Sequence, residues 1–352
     1  MEEENHELLL PLVDDENICL PLPINVVSKY WNINLPMEEA IESSKKYSGF
    51  DGSILIEGIE MAERHGLTCK IIHSSLFELK KIIDLGIPPI VILPGIPEIT
   101  QHASVITGYN EQEKTILHYI QKGNQEGEQQ EGAIPQDIFE KEWSEEGKLL
   151  LILAPSDIIT SMNLENDSGD KSNRLCLISE KQNILKNNSE ALESLKQAIE
   201  LDPNNSTALH LLGAVMNEQN SPECVKFYEK CLEINNRSYL TYNGLGNFYL
   251  KTNQFEKAEN YYTKAININP KRSAKIYKNR AFLREKQNKK TYAHGMKEDI
   301  KLYKKDSYRD IAIRKTIKTA ARRMHTEIKK EDRLSFLHCL ACGAKHPIRS
   351  KI

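Results

Sequence analysis

The stretch that decides the fold of this 352-residue chain is Tyr239–Pro270, YLTYNGLGNFYLKTNQFEKAENYYTKAININP. Counting Tyr239 as position 1, a glycine stands at position 8 and an alanine at position 20, which are Gly246 and Ala258. Small residues at these two places let two helices approach closely, while large residues fill the remaining space. Pro270 at position 32 stops the second helix, because proline lacks the backbone N–H that a helix interior needs. The stretch therefore predicts one helix–turn–helix unit.

The same frame recurs on both sides of this stretch, at a spacing of about 34 residues. Upstream, Gly213 opens a unit that closes through Tyr228 and Cys231, and residues 191–203 supply the second helix of a degenerate first unit. Downstream, Tyr277 begins a looser fourth unit. Four units in register predict an all-α solenoid.

This pattern resembles tetratricopeptide repeats. The resemblance implies a right-handed stack of helix pairs with a concave groove that binds an extended peptide or a partner helix. The candidates to face this groove are polar residues of the first helices, namely Asn243, Asn247, Lys275 and Asn279. The same residues also fit an ordinary solvated helix face, and such arrays also serve as rigid spacers or dimer faces.

Charge is divided unevenly along the chain, although its net value is only −3. Residues 1–160 hold 11 lysines and arginines against 28 acidic residues, a net charge of −17, and the remainder holds 36 against 22, or +14. This asymmetry indicates two units with different surfaces, which attract either each other or different partners.

The N-terminal half contains two candidate site residues, Cys19 and His102. Cys19 precedes the apolar-periodic stretch Ile24–Trp31, which predicts a helix that begins at the cysteine, where the helix dipole favours a thiolate. His102 stands in an alternating segment, 101–109, whose predicted hairpin partner is 115–119. The remaining predicted elements are helices at 52–66 and 75–85 and strands at 69–72, 89–93 and 149–153. Together they predict an α+β unit.

The order of these elements resembles the peptidase domain that processes double-glycine leader peptides in bacteriocin exporters, and its papain-like relatives. The resemblance covers about residues 8–155. A known subgroup of these domains also carries tetratricopeptide repeats behind the peptidase unit. The landmarks that carry the match are Cys19-x-Pro21, the helix that exits at Gly66-Leu67, Gly86-x-Pro88-Pro89, His102-x-x-Val105-x-x-Gly108-Tyr109 and the closing Phe139-x-x-x-Trp143.

The resemblance implies a cysteine peptidase in which Cys19 is the nucleophile and His102 the base that deprotonates it. His118 takes the place of the residue that orients the histidine, which is usually an aspartate. Two departures weigh against activity: Val13 replaces the glutamine that helps to bind the oxyanion, and an imidazole stabilises an imidazolium less than a carboxylate does. The alternatives are a buried structural thiol at Cys19 and a core position at 118.

The C-terminal segment is basic, since residues 307–352 hold 12 lysines and arginines against 4 acidic residues. Its helical pattern predicts a helix that caps the array. Near the end, Cys339, Cys342 and His346 have the spacing of zinc ligands, but the chain has no second Cys-x-x-Cys pair to complete an ordinary zinc fold. We therefore expect no metal, and the sequence indicates no cofactor.

The sequence divides into a papain-like domain (1–158), a linker (159–173), about four repeats (174–306) and a basic tail (307–352). Seven scattered cysteines do not form a disulfide framework, and an acidic start with no long apolar run predicts a cytoplasmic protein without a membrane or nucleic-acid partner. Two functions follow: a cysteine peptidase whose repeats recruit a protein or peptide, or a catalytically inactive scaffold for protein–protein interaction. A transferase that forms an acyl-enzyme on the same cysteine is a further alternative.

Overall fold

The computed structural model describes residues 5–11, 21–36, 38–39, 42, 54–94, 101–120, 130–162, 167–270 and 274–286. The first half is a sheet flanked by helices. Its strands are β1 (Asn5–Glu7), β2 (Thr68–His73), β3 (Ile90–Pro94), β4 (Gln101–Asn110), β5 (Thr115–Ile120), β6 (Gln130–Pro135) and β7 (Leu149–Ala154). Its helices are α1 (Pro21–Tyr30), α2 (Leu55–Arg64), α3 (Leu76–Asp84), α4 (Gln136–Glu145) and α5 (Ser156–Ser161).

The described strands form one antiparallel sheet in the order β2-β7-β3-β4-β5-β6, and β1 pairs with β4 beyond the end of β3. The predicted hairpin is confirmed, because β4 and β5 are antiparallel neighbours and Asn110 lies opposite Thr115. Gly108 allows β1 to pair here, since a Cβ at this position would run into the backbone carbonyl oxygen of His6. The sheet thus places β3 and β4 at its centre and β2 and β6 at its edges.

Helices cover both faces of the sheet, and β7 shows this most clearly. All six of its residues, LLLILA, are buried. Leu149, Leu151 and Leu153 join the core under α1 and α2, and the alternate residues join the core under α3 and α4. A continuous apolar run is what a strand needs when both faces are covered.

The second half is a row of helices joined by short loops. They are α6 (Asp167–Ile184), α7 (Asn188–Leu201), α8 (Ser206–Glu218), α9 (Cys224–Ile234), α10 (Tyr239–Lys251), α11 (Phe255–Ile268) and α12 (Ala274–Lys286). They pair as α6–α7, α8–α9 and α10–α11, and α12 follows as the first helix of the next unit. The helix pairs predicted from the repeat pattern are confirmed over these residues. The rest of the fourth unit lies outside the described residues.

Glycines let the helices of the array approach one another across a tyrosine ring. Tyr228 of α9 lies between Gly213 of α8 and Gly244 of α10, and added Cβ atoms would lie 2.7 and 2.5 Å from its ring carbons. Gly246 faces Tyr262 of α11 at 2.5 Å by the same measure. Glycine at position 8 of the repeat therefore makes room for a large ring, as the sequence predicts.

Helix α6 covers the edge of the sheet at β2. The Ile71 N–H donates to Oδ1 of Asp170 at 2.8 Å, and Nδ2 of Asn173 donates to the Ile71 carbonyl at 2.8 Å. Asn173 Oδ1 also accepts from Nδ2 of Asn205, which lies just before α8. These side chains satisfy backbone groups that an edge strand leaves exposed, so the array closes the sheet.

Opposite charges face each other across this junction. Lys181 of α6 lies 2.6 Å from a carboxylate oxygen of Glu57 and 3.2 Å from one of Glu60, and Arg174 donates to Glu63 at 3.1 Å. The acidic partners all belong to α2. At this junction, basic residues of the repeat half therefore attract acidic residues of the sheet half and stabilise the contact between them.

A second junction is formed by Glu145 at the end of α4. Its side chain is 3% exposed and accepts from Nη2 of Arg237 at 3.0 Å and from Nδ2 of Asn269 at 2.6 Å. Arg237 lies in the loop between α9 and α10, and Asn269 caps the end of α11. One carboxylate thus connects the sheet half to two successive units of the array.

Several details differ from the sequence-based expectation. Residues 167–173, which the sequence assigns to a linker, lie in α6, where Asp170, Ser172 and Asn173 are buried. The short strands β1 and β6 were not predicted. The structure confirms a sheet-containing N-terminal half and a helical repeat half. It does not establish the papain-like fold that the resemblance implies. None of the described helices is long and apolar enough to cross a membrane.

Candidate functional site: the inner groove of the repeats

The first helices of successive units line an open cavity of about 350 Å³, which we call the inner groove. Residues of α8, α10 and α12 form its walls, and Tyr228 of α9 forms part of its floor. The lining residues are His210, Ala214, Asn217, Glu218, Tyr228, Leu240, Asn243, Gly244, Asn247, Leu250, Lys251 and Asn279. Three of the four groove candidates named from the sequence, Asn243, Asn247 and Asn279, are among them.

Asn247 is held in a fixed orientation. Its Oδ1 accepts from the Tyr262 hydroxyl at 2.8 Å and from Nδ2 of Asn279 at 3.0 Å. Because both donors meet the oxygen, the amide nitrogen of Asn247 stays available to donate. Residues of α10, α11 and α12 are thus joined in one polar network, which orders this end of the groove.

Asn217 marks the other end of the groove, and the sequence analysis did not single it out. Its Nδ2 donates to the Gly244 carbonyl at 2.9 Å, and Nζ of Lys251 donates to its main-chain oxygen at 2.7 Å. The residue is only 6% exposed. Its repeat-equivalent in α10 is Leu250, so no recurring polar position pointed to it.

Asn243 lies one residue before Gly244 and has a buried Oδ1 without a hydrogen-bond partner among the described residues. Lys275, the fourth candidate, lies in α12, and its side chain is not among those described. At Asn217, Asn247 and Asn279, neighbouring groups therefore set which end of the amide donates and which accepts. Amides of this kind match the N–H and C=O groups of an extended peptide.

The groove carries little net charge. Burial lowers the pKa of His210 to about 4, so its ring is neutral at physiological pH, and its Nδ1 lies 2.9 Å from the Thr241 hydroxyl. Glu218 and Lys251 are exposed and lie on the rim with opposite charges. The described lining therefore contains no cluster of cations of the kind that would select a carboxylate.

The predicted catalytic residues are described only in part. Cys19 and Val13 lie outside the described residues, and only the backbone of His102 is described, in β4 opposite Leu93. His118 is buried in β5, and its Nδ1 lies 3.1 Å from the Ser104 hydroxyl. The roles assigned to these three residues remain predictions.

One described feature does bear on that prediction. Leu22 of α1 and Ala103 of β4 belong to the same core cluster. Leu22 lies three residues after Cys19, and Ala103 directly follows His102. Helix α1 therefore packs against one face of β4, the strand that carries His102.

The candidate zinc ligands Cys339, Cys342 and His346, and the rest of the basic tail, lie outside the described residues. Within the described part of the chain, no group of three or more histidine, cysteine or acidic side chains is arranged to hold a metal ion. Burial raises the pKa of the Cys224 and Cys231 thiols to about 11, so these cysteines of the array are protonated.

Family models of the tetratricopeptide repeat match residues 239–272 and 184–220. The first match covers α10 and α11, and the second covers α7 and α8 with their flanking loops. The helical half contains tetratricopeptide repeats. Both matches lie in this half, so they favour the interaction scaffold over the peptidase among the two functions drawn from the sequence.

Over 102 residues the chain is 31% identical to anaphase-promoting complex subunit 3 of Schizosaccharomyces pombe, a stretch that spans 29% of this chain and 15% of that relative. The chain therefore spans a small part of the length of this curated relative.

Solved structures to which the chain is similar include MamA from residue 41 to its end, of Desulfovibrio magneticus RS-1, at 19% identity and a TM-score of 0.35, covering 48% of this chain and 91% of that chain. Another is the first tetratricopeptide domain of Spaghetti (RPAP3) bound to the HSP90 peptide SRMEEVD. It is 12% identical with a TM-score of 0.33 and covers 34% of this chain and 96% of that domain.

Proposed function

We propose that this protein is an interaction scaffold whose repeats bind an extended segment of a protein partner in the inner groove. The observation that carries the proposal is the convergence of Asn217, Asn243, Asn247 and Asn279 on one open cavity. These residues come from three successive units. In this proposal their amides contact successive residues of the bound segment. A cytoplasmic location fits this function and stays a prediction.

The sheet half has a defined part in this proposal. The contacts of α6 with β2 and of Glu145 with Arg237 and Asn269 hold the array against the sheet half at two places. A partner bound in the groove is therefore presented at a fixed position relative to the sheet. Such an arrangement suits a scaffold that brings two bound components together.

The test is selection of binding peptides from a library of random linear peptides displayed on phage, with the full-length chain as bait. Selected peptides are then titrated against the wild-type chain and against Asn243→Tyr, which places a ring in the groove without removing a described hydrogen bond. We expect binding to weaken at least about tenfold in the variant. Asn188→Tyr, at an exposed position of α7 away from the groove, is the matched control. Peptides that bind both variants as well as the wild type would exclude the groove.

The second candidate function is the cysteine peptidase, which rests on the resemblance of the segments around Cys19 and His102 to that family. In this proposal Cys19 attacks a peptide carbonyl and His102 takes its proton. Alkylation of Cys19 near pH 6 should be fast and should slow sharply in His102→Ala, because the thiolate depends on the imidazolium. The control is Cys19→Ser, which should abolish the fast phase. An equal labelling rate in the wild type and in His102→Ala would exclude the peptidase. It would not affect the scaffold proposal.

A further inference from the structure

The two edges of the sheet differ in what covers them. At β2, side chains of α6 bond to the backbone N–H and C=O of Ile71. At β6, the opposite edge, β5 lies on one side, and none of the described strands pairs with the other side. An uncovered edge offers unpaired backbone groups to which an extended chain can bond, and most proteins therefore cover or interrupt it. The β6 edge is thus a candidate binding surface.

The register of β5 and β6 shows which backbone groups point outward. The Gln136 N–H donates to the Lys114 carbonyl at 2.8 Å, and β6 continues this ladder without a shift in register. In an antiparallel pair, residues that bond to the neighbouring strand alternate with residues whose N–H and C=O point away from it. Because Gln136 bonds toward β5, the backbone groups of Pro135, Ala133 and Glu131 point away from β5.

Proline at position 135 fits this assignment, since its missing N–H would have pointed outward and is not needed within the sheet. Ala133 is exposed, and its backbone groups have no partner among the described residues. Glu131 and Ala133 each offer an N–H and a C=O, whereas Pro135 offers only a C=O. The edge therefore accepts a short strand that ends near the proline.

The charge around this edge favours a basic partner. Strand β6 belongs to residues 1–160, which carry a net charge of −17 (11 basic and 28 acidic residues). Glu131 lies in the strand itself, and Asp137 is exposed in the first turn of α4 directly after it. A second copy of the chain would bring the same acidic residues to the same edge, where like charges repel. Lysine and arginine side chains are attracted there instead.

We infer that the open edge of β6 binds an extended, basic segment of a partner protein as an added antiparallel strand. Backbone hydrogen bonds to Glu131, Ala133 and Pro135 provide affinity for any extended chain, and the basic side chains select among such chains. This surface lies on the sheet half and does not depend on the inner groove. It gives the scaffold a second place at which to hold a protein.

The first test selects peptides from a library of random linear peptides displayed on phage. The bait is the full-length Asn243→Tyr chain, in which the inner groove is blocked. Selected peptides are titrated against the wild type, Ala133→Pro and Ala133→Val. Proline at 133 removes an outward N–H but no bond to β5, whereas valine keeps the N–H. We expect Ala133→Pro to weaken binding at least about tenfold and Ala133→Val to leave it nearly unchanged.

The second test is an N-methylation scan of the selected peptides, which does not depend on the folding of a protein variant. An N-methyl group removes one N–H donor, and only alternate residues of an added strand donate to β6. We expect affinity for the wild-type chain to fall about tenfold at alternate positions and to change little between them. Replacement of the lysines and arginines of the peptide by glutamine should also weaken binding, and replacement by glutamate should weaken it further.

Each outcome supports or overturns the added strand. Loss of binding in Ala133→Pro, with N-methylation effects of period two and a requirement for basic residues, supports it. Peptides that bind Ala133→Pro as tightly as the wild type, effects without that period, a selection of acidic peptides or a selection that yields none would overturn it. Light scattering tests the second copy: a wild-type dimer that dissociates in Ala133→Pro would assign the edge to self-association instead. These results leave the groove proposal unchanged, because its peptides are selected on the wild type and tested with Asn243→Tyr.

Discussion

The sheet half and the repeat array are stabilised by contacts of different range. In the sheet, β7 pairs with β2 and β3, which come much earlier in the chain, and its side chains fill two separate cores. In the array, Tyr228 packs between glycines of the preceding and the following helix. Contacts in the array recur with the repeat and leave a pattern in the sequence. Contacts in the sheet are particular to each pair of strands and leave none.

The chain carries natural reporters for this difference. Both of its tryptophans, Trp31 and Trp143, lie in the sheet half, whereas most of the helical residues that the structure describes lie in the array. Tryptophan fluorescence therefore follows unfolding of the sheet, and far-UV circular dichroism is dominated by the array. Comparison of the two signals in urea shows which half a substitution affects.

The largest effect is expected from Leu151→Ala in the sheet. Leu151 is fully buried in β7 opposite Ile71, so the substitution leaves a cavity in the core. We expect the free energy of unfolding to fall by about 3 kcal/mol. The fluorescence midpoint in urea measures this, and Leu9→Ala, at a residue that is 79% exposed, serves as the control. A loss no greater than that of the control would contradict the described core.

Gly244→Ala tests the array in the same way. The added Cβ would lie 2.5 Å from Cζ of Tyr228, and the buried ring cannot move aside. We expect a loss of about 2 kcal/mol, even though alanine is the better helix former. The change should be seen by circular dichroism. In a Tyr228→Ala background the same substitution should not lower the free energy of unfolding. An equal loss in that background would show that the contact with the Tyr228 ring is not the cause.

Glu145→Ala tests whether the two halves unfold together. It removes the shared acceptor of Arg237 and Asn269 from a buried position, for an expected loss of about 2 kcal/mol. Because one junction is lost, the fluorescence and dichroism transitions should also move apart.

Glu140→Ala is the matched control for this prediction. Glu140 belongs to the same helix, but its side chain is 44% exposed and pairs with Lys148. An exposed pair of this kind contributes about 0.5 kcal/mol or less. Transitions that remain coincident in Glu145→Ala would show that this carboxylate does not couple the halves.

The smallest effect concerns pH at the junction. Burial, followed by the nearby charge of Glu146, raises the pKa of Glu180 in α6 to about 7. The folded chain therefore holds this proton to a higher pH than the unfolded chain does, and stability is lost as the pH rises toward and through 7. Glu180→Gln, which stays neutral, should stabilise the protein near pH 8.

Glu180 keeps part of its surface exposed, so we expect a gain of only about 1 kcal/mol near pH 8 and almost none near pH 4. Urea unfolding at the two pH values measures the difference. The lowered pKa of His210 also makes stability depend on pH. Its contribution to the free energy of unfolding is the same in the wild type and in Glu180→Gln, so it cancels when the two are compared. An equal gain at both pH values would show that the carboxylate charge is not responsible.

The sequence alone predicted the array, the close approach at Gly246, the hairpin of β4 and β5, and three of the asparagines that line the groove. These features depend on residues close together in the chain or one repeat apart, so their spacing is visible in a single sequence. The assignment of Cys19, His102 and His118 came from a family resemblance and stays a prediction.

Only the tertiary structure showed that α6 closes the edge of β2, that Glu145 joins two units of the array, and that Asn217 lines the groove. Each of these features depends on atoms from distant parts of the chain. Ile71 meets Asp170, and Glu145 meets Asn269, only after both halves have folded. A hydrogen bond between such groups follows no sequence period, because its geometry is set by packing and not by the spacing of residues.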